Sequence, residues 1–292
     1  METARIIREN DRPFWIAPLG DIQYNGDEED IAGRSLREHI ERAVDLGDVY
    51  FLGMGDYIDM ASPTSRQKIQ GSGAYDNTMK AIEDRAKDLT QEVFDKFLKP
   101  TKDRWIGLLS GHHFWPYRDG TNSDQDLCAK LGARYLGEGK AIIEFVIPTS
   151  RNNRTLRLYA MHGAGSGEES SLLLKLKKMA GDWEGIHAFM MGHMSKLATA
   201  PIPKLEAVFA TKRDGTGYTA RIVERRVPLI GTGAWSLAYP MGRTTYVERS
   251  ATMRPVSLGA PLVEVIPTFQ RERSASDGDV ARWLPRLRVI LE

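Results

Sequence analysis

The sequence predicts an α/β protein, and three observations carry that reading. Short apolar runs alternate with longer helical patterns through the first two thirds of the 292 residues. From about residue 197 helical periodicity gives way to β-rich segments separated by Gly, Pro and Thr turns. No Pro/Gly/Ser-rich linker interrupts the chain, so one domain over 1–292 is expected, with 1–196 as its α/β core and 197–292 as its β-rich second half.

The elements follow in order. Residues 14–18, 49–54, 105–109, 155–161 and 186–191 are apolar runs that end in Gly or a turn, which predicts buried strands. A helix over 31–46 places Leu36, Ile40, Ala43 and Val44 on one face. A second, over 77–98, carries Met79, Ile82, Ala86, Leu89, Val93 and Phe97 at three- and four-residue steps and is expected to close at Pro100. A third, over 169–181, aligns Leu172, Leu173, Leu176 and Met179. Strands are expected at 205–212, 218–227, 262–269 and 286–291, with 271–279 as a disordered loop.

Composition narrows the function classes. Hydrophobic residues make up 41% of the chain, too many for a disordered tail, and no apolar run approaches the ~20 residues of a membrane span. The N-terminus leads into a charged stretch with no apolar signal core. A lone cysteine, Cys128, fits a reducing compartment, so a cytoplasmic location is expected. The net charge of +1 argues against whole-surface attraction to nucleic acid. It conceals an asymmetry: residues 196–292 carry 15 Lys and Arg against 9 Asp and Glu, and residues 1–195 carry 25 against 30. A solvated, arginine-bearing sheet face accounts for the basic third more simply than an anion-binding one.

Chemistry gathers where strands end. The runs lead into Gly20-Asp21-Ile22-Gln23, Gly55-Asp56-Tyr57-Ile58-Asp59, Ser110-Gly111-His112-His113, Met161-His162-Gly163 and Gly192-His193-Met194-Ser195. In α/β sheets ligands bind beyond the carboxyl ends of the strands, so these five turns would converge on one crevice. Carboxylates and imidazoles together, without thiolate, are metal ligands by type. Singly each is weak, since an Asp after a strand is usually a helix N-cap and a lone His a hydrogen-bonded core residue. Their joint occurrence, with a glycine beside each member, favours a metal site.

The series resembles that of the calcineurin-like metallophosphoesterases: Asp-x-His, Gly-Asp-x-x-Asp, Gly-Asn-His-Asp/Glu, His and Gly-His-x-His. The match runs from Asp21 to Ser195, with the order intact and the second block complete. Gly111-His112-His113, followed by Tyr135-Leu136-Gly137, is also similar to phage and prophage members. The resemblance implies a four-layer α/β/β/α sandwich, two mixed sheets flanked by helices, holding two divalent ions. It implies that Asp56 bridges the ions, that Asp21 and the Gln23 position serve the first, and that His112, His162 and His193 serve the second. It makes His113 the general acid, oriented by Asp59, and a bridging hydroxide the nucleophile. Two cations clamp attacking and leaving oxygens and acidify a water, which an anionic phosphoryl centre requires.

Four positions depart from the pattern. Gln23 and Ser195 stand for histidines, His112 for an asparagine and Phe114 for an acid. An unequal pair of sites follows: an oxygen-rich one suited to Mg²⁺ or Mn²⁺, or weak or vacant, and a nitrogen-rich one suited to Zn²⁺, Fe or Mn²⁺. Manganese is the leading expectation for the pair. The expected function is hydrolysis of phosphodiesters, or of phosphomonoesters, with a small phosphoester or nucleotide as substrate, short nucleic acid as a second possibility and no membrane partner. The alternative is a catalytically degenerate binding or scaffold protein that keeps the fold, motivated by Gln23 and Ser195.

Other features have simpler readings. The glycines at 163, 165 and 167 mimic a nucleotide-binding turn, but Glu168 stands where the dinucleotide fingerprint needs glycine, and Glu168 and Glu169 would repel phosphate. Phe114, Trp115 and Tyr117 could stack on a base, with packing preferred for Trp115. The segment from Gly231 through Tyr239, Arg243, Tyr246, Glu248 and Arg254 could wall the crevice, with plain β-structure the safer expectation. His39 and His187 lack motif partners and read as structural.

Overall fold

Alternation of side chains along a strand decides which layer each residue enters, and here it builds a layered sandwich. The computed structural model describes residues 1–73, 76–149, 152–165, 167–211, 216–238, 257–274, 278–283 and 285–292. Its first half comprises β1 (Glu2–Ile7), β2 (Phe14–Leu19), α1 (Gly33–Asp45), β3 (Val49–Gly53), α2 (Pro63–Gly71), α3 (Asp76–Val93), β4 (Trp105–Ser110) and α4 (Ser123–Leu131). Then come β5 (Tyr135–Glu138), β6 (Lys140–Ile147), β7 (Arg154–Met161), α5 (Glu169–Asp182) and β8 (Ala188–Met191). The last third holds β9 (Leu197–Thr211), β10 (Tyr218–Thr232), β11 (Pro261–Ile266), β12 (Phe269–Ser274), β13 (Gly278–Trp283) and β14 (Arg286–Leu291).

Two six-stranded sheets form, in the orders β1-β6-β7-β8-β10-β9 and β14-β11-β2-β3-β4-β5. Both are mixed. In the second, β2 through β5 run parallel while β11 and β14 pair antiparallel. In the first, β7, β8 and β10 run parallel and β6–β7 and β10–β9 antiparallel.

Phe14, Ile16, Leu52, Met54, Ile106 and Leu109 of one sheet share a buried cluster with Ile143, Phe145, Leu156, Leu158, Ala188 and Met190 of the other. The residues between them in sequence point the other way. Ala17, Leu19, Phe51 and Leu108 pack under Leu36 and Ile40 of α1, Ala86 and Leu89 of α3, and Leu127 and Leu131 of α4. Tyr159, Phe189 and Met191 pack under Leu172, Leu176 and Ala180 of α5. The layer order is therefore α/β/β/α, as the family resemblance implies. In β4 the alternation skips a step at Gly107, where the register against β3 shifts. This bulge turns the strand end that carries Ser110 and the histidines after it.

Most expected elements are present, with differences in extent. The long helix is α-helical only to Val93; Phe94–Leu98 is a π turn and Lys99–Thr101 a 3₁₀ turn. Pro100 sits inside that last turn and does not end the helix, because an early helical position demands no N–H from proline. Within 271–279, expected as a disordered loop, the described residues 271–274 and 278–279 instead belong to two antiparallel strands, in which Phe269 pairs with Trp283 and Ser274 with Gly278. Residues 271–279 are almost all polar, charged or small and show no period-2 apolar pattern, so the sequence does not announce strands there. Strands β1, β5 and β6 and helices α2 and α4 add to the expected set.

Candidate metal centre

The carboxyl ends of β2, β3, β4, β7 and β8 deliver the five expected turns to one edge of the sandwich, three from one sheet and two from the other. Backbone bonds continue the β2–β3 pairing beyond the strands: Asp21 N–H donates to Gly55 C=O at 2.9 Å, and Gln23 N–H to Asp56 C=O at 2.9 Å. Among the described residues six non-glycines adopt positive φ, and five belong to these turns: Asp21 (+50°), Gln23 (+52°), Asp56 (+56°), His193 (+63°) and Ser195 (+51°). Each such residue costs roughly 1–2 kcal/mol in backbone strain, and concentration in one place is characteristic of functional sites. Gln23 and Ser195 keep this backbone although their side chains depart from the family pattern.

Four of the expected ligands converge. One donor atom from each of Asp56, His112, His162 and His193 lies within 4.8 Å of all the others. His112 Nδ1 is 3.0 Å from His193 Nδ1, His193 Nδ1 is 3.2 Å from His162 Nε2, and His162 Nε2 is 3.2 Å from Asp56 Oδ2. The edge of a tetrahedron with metal–nitrogen bonds of about 2.0–2.1 Å is about 3.3–3.4 Å, close to these separations.

The surroundings aim the donor atoms. His162 Nδ1 donates to Met54 C=O at 2.7 Å, so in the neutral ring Nε2 presents its lone pair to the cluster. Asp56 Oδ1 accepts the N–H groups of His112 and His113, the latter at 2.9 Å, while its buried Oδ2 accepts no hydrogen bond. Lone pairs and a carboxylate oxygen packed this closely repel unless a cation or shared protons lie among them. The donor set, three imidazoles and one carboxylate, fits a divalent transition ion.

Asp21 is fully buried beside this group. Its Oδ2 accepts His193 N–H at 2.9 Å and its Oδ1 has no hydrogen-bond donor. Gln23 is half-buried, and its backbone bond to Asp56 brings it to the site. His113 stands next to the cluster with its Nδ1 2.7 Å from Asp59 Oδ1, and both side chains retain solvent access. Ser195 follows the His193 turn, its carbonyl accepting Ser257 N–H at 2.9 Å.

The electrostatics are those of carboxylates and imidazoles sharing a buried space. Burial pushes the Asp21 carboxyl up to about 7, opposed by His162. Burial would also raise Asp56, but the neighbouring His162 ring and its charge hold it well below the carboxylate range. His162 moves the opposite way: burial disfavours its charged form, and the Asp56 carboxylate overrides this to raise its pKa. His112 and His193 are lowered, first by burial and then by His162. His113 is raised: burial opposes its charged form, and the Asp59 hydrogen bond together with the charges of Asp56, Asp59 and Asp21 overcomes it.

Two residues at the site carried no motif. Arg66 of α2 bonds the turn of the two histidines. Asp124, buried in the first turn of α4, has its carboxyl pushed up to about 7 by burial, with the Ser110 hydroxyl and Asp56 as its nearest influences. In sequence Asp124 reads as an acid favourable to a helix N-terminus, and Arg66 as a surface arginine. Trp115 and Tyr117 are buried, as packing predicts, and so is His39. His187 is half-buried, its Nδ1 accepting Arg157 N–H at 3.1 Å. Tyr239, Arg243, Tyr246, Glu248 and Arg254 lie outside the described residues.

Fold and site together define a class: an α/β/β/α sandwich with an Asp–His cluster of metal-ligating geometry at the carboxyl edge of its strands. Neither a protein-family model nor a curated protein sequence matches the chain. Among solved structures it is similar to wild-type Vps29 of Entamoeba histolytica complexed with zinc, at 10% identity and a TM-score of 0.35, over 95% of this chain and 99% of that one. No helix among the described residues is long and apolar enough to cross a membrane.

Proposed function

We propose that the protein is a metal-dependent phosphoesterase that hydrolyses phosphodiesters in preference to phosphomonoesters. The observation that carries this reading is the adjacency of two constellations. Asp56, His112, His162 and His193 offer a converging donor set, and His113, paired to Asp59 at 2.7 Å, borders it. Asp56, His112, His162 and His193 would hold one divalent ion, and Asp21, Gln23 and Asp56 a second, oxygen-rich one. When bound, such ions neutralise phosphoryl oxygens and lower the pKa of a water, which supplies the nucleophile. Mn²⁺ suits both donor sets, with Zn²⁺ or Fe at the nitrogen-rich position and Mg²⁺ at the other.

The chain's own residues do the rest. Asp59 accepts the His113 Nδ1–H, which favours the charged ring, and fixes its orientation. His113 then donates a proton to the departing oxygen, which matters most for the poor alkoxide leaving groups of diesters. The near-neutral charge supports a small phosphoester or nucleotide over a long duplex, with short nucleic acid next in line. The single thiol, buried at Cys128, supports a cytoplasmic setting.

Turnover of bis-p-nitrophenyl phosphate and p-nitrophenyl phosphate with added Mn²⁺ tests this. Wild type is expected to cleave at least one of them, and Asp56→Asn to lose about 100-fold or more. His113→Ala is expected to lose about 10²–10⁴-fold on substrates with poor leaving groups. Wild-type turnover no faster than Asp56→Asn would favour the binding or scaffold reading, to which the changed Gln23 and Ser195 positions point. Full activity in Asp56→Asn would overturn the site assignment.

A further inference from the structure

The turn that carries His113 is held from both sides. On its N–H side, His112 and His113 both donate to Asp56 Oδ1. On its carbonyl side, the grip comes from the segment just after Asp59. Met60 N–H donates to His113 C=O at 3.2 Å. Arg66 Nη1 donates to the carbonyls of His112, Phe114 (2.8 Å) and Ala61 (2.8 Å). Three successive carbonyls, 112 to 114, are thus taken by residues 60–66, and the same guanidinium ties down Ala61, two residues beyond Asp59.

The placement follows from the chain. Ser62 caps α2, its hydroxyl accepting Ser65 N–H, and Pro63 opens the helix. This aims the residue one turn in, Arg66, back at the block that precedes it. The guanidinium carbon also stands 4.2 Å from the centre of the Phe114 ring. The aromatic face supports the guanidinium plane while the two Nη1 hydrogens are shared among three carbonyls; a lysine ammonium keeps donors for the carbonyls but loses the planar stacking. It also gives Phe114, which stands where the resembled family has an acid, a purpose in this chain.

We propose that Arg66, stacked on Phe114, is a positioning residue for the His113–Asp59 pair. By fixing the carbonyls on either side of His113 and the backbone beyond Asp59, it sets the distance and angle at which the acid meets the leaving oxygen. The geometry stands by itself; its catalytic consequence rests on the phosphoesterase reading.

Two measurements test it on full-length Arg66→Met and Arg66→Lys, with Phe114→Leu removing the ring but no hydrogen bond. The first is amide hydrogen exchange at Met60, His112 and His113, which needs no turnover. Arg66→Met is expected to raise the Met60 exchange rate about 10-fold or more, with less effect from Arg66→Lys and Phe114→Leu. The second compares bis-p-nitrophenyl phosphate with thymidylyl-3′,5′-thymidine, whose alkoxide leaving group depends on the acid. Arg66→Met is expected to lower kcat on the dinucleotide about 10-fold more than on the aryl ester at unchanged KM, with partial rescue by ethylguanidinium. A merely structural arginine would slow both substrates alike.

Unchanged Met60 exchange, or equal losses on the two substrates, overturns the proposal. Should the wild type cleave neither ester, the phosphoesterase reading fails, and the exchange measurement alone decides whether Arg66 pins the turn. If Arg66→Met does not fold, Phe114→Leu carries both measurements.

Discussion

At Gly55 the chain passes through φ +96° with no room for a side chain. A Cβ there would lie 2.6 Å from His162 Nδ1 and 2.7 Å from Gly111 Cα. The contact matters because His162 Nδ1 is the atom committed to Met54 C=O, the bond that turns Nε2 toward the cluster. Gly55→Ala should therefore act twice. Forcing a side chain into the left-handed region costs roughly 1–2 kcal/mol, and the clash roughly 1–3 kcal/mol more. Chemical denaturation is expected to show a loss of about 2–4 kcal/mol, and titration calorimetry a weaker affinity for Mn²⁺ or Zn²⁺. A loss under about 0.5 kcal/mol with unchanged metal affinity would mean that the His162 tautomer is not set by this packing. Gly111 faces the same constraint from Asp56, whose Oδ1 a Cβ would overlap. A glycine beside each ligand is legible in the sequence; which ligand atom needs it there is not.

Helix α1 presents a different case, a histidine that belongs to the core. His39 is 1% exposed, its ring centre 5.4 Å from that of Trp235, and neither ring nitrogen has a hydrogen-bond partner. Glu292 Oε2 stands 3.6 Å from its Nδ1, too far for a hydrogen bond, and is itself engaged by Arg42 at 3.3 Å. Burial first, and Arg42 second, push its pKa from the ordinary 6.5 down to about 4. Below about pH 6.5 the unfolded chain takes up a proton that the folded one refuses. Stability is thus full above 6.5 and falls as pH drops toward 4, by up to about 2 kcal/mol at pH 5. His39→Leu, which keeps the bulk, is expected to flatten the fall in stability between pH 7 and pH 5 by about that amount. An identical slope in the variant would show that His39 is protonated in the folded state. At this scale the sequence is legible where an element has a core to face: the apolar stripe of α3 and the strands that lead to the site are visible as periodicities. Where the apolar pattern gives no such signal the sequence is silent, as for β12 and β13, which pair with each other, and for the short, polar α2. Arg66 sits on that silent element, so its contact with the histidine turn comes to light only in three dimensions.

Across the whole molecule, the candidate metal centre joins two sheets whose shared interior is an apolar cluster. Asp56 and His112 follow strands of one sheet, and His162 and His193 strands of the other. The order of these blocks along the chain is what made the site legible; the sheet to which each belongs was hidden, because long-range pairing leaves no local mark. An ion held by all four would have to be released before the sheets part, so its binding free energy adds to the stability of the sandwich. The added stability is RT ln(1 + [L]/Kd), about 2.7 kcal/mol at 100 Kd. At roughly 2–4 °C per kcal/mol for a large domain, Mn²⁺ or Zn²⁺ is expected to raise Tm by about 5–10 °C over the chelator-treated protein. Asp56→Asn and His162→Gln should abolish most of that rise, because each removes a donor from a different sheet. The contrast between these variants decides the architecture of the site. If only the Asp56 variant loses the rise, the ion is held from one sheet alone, and if neither does, it binds elsewhere.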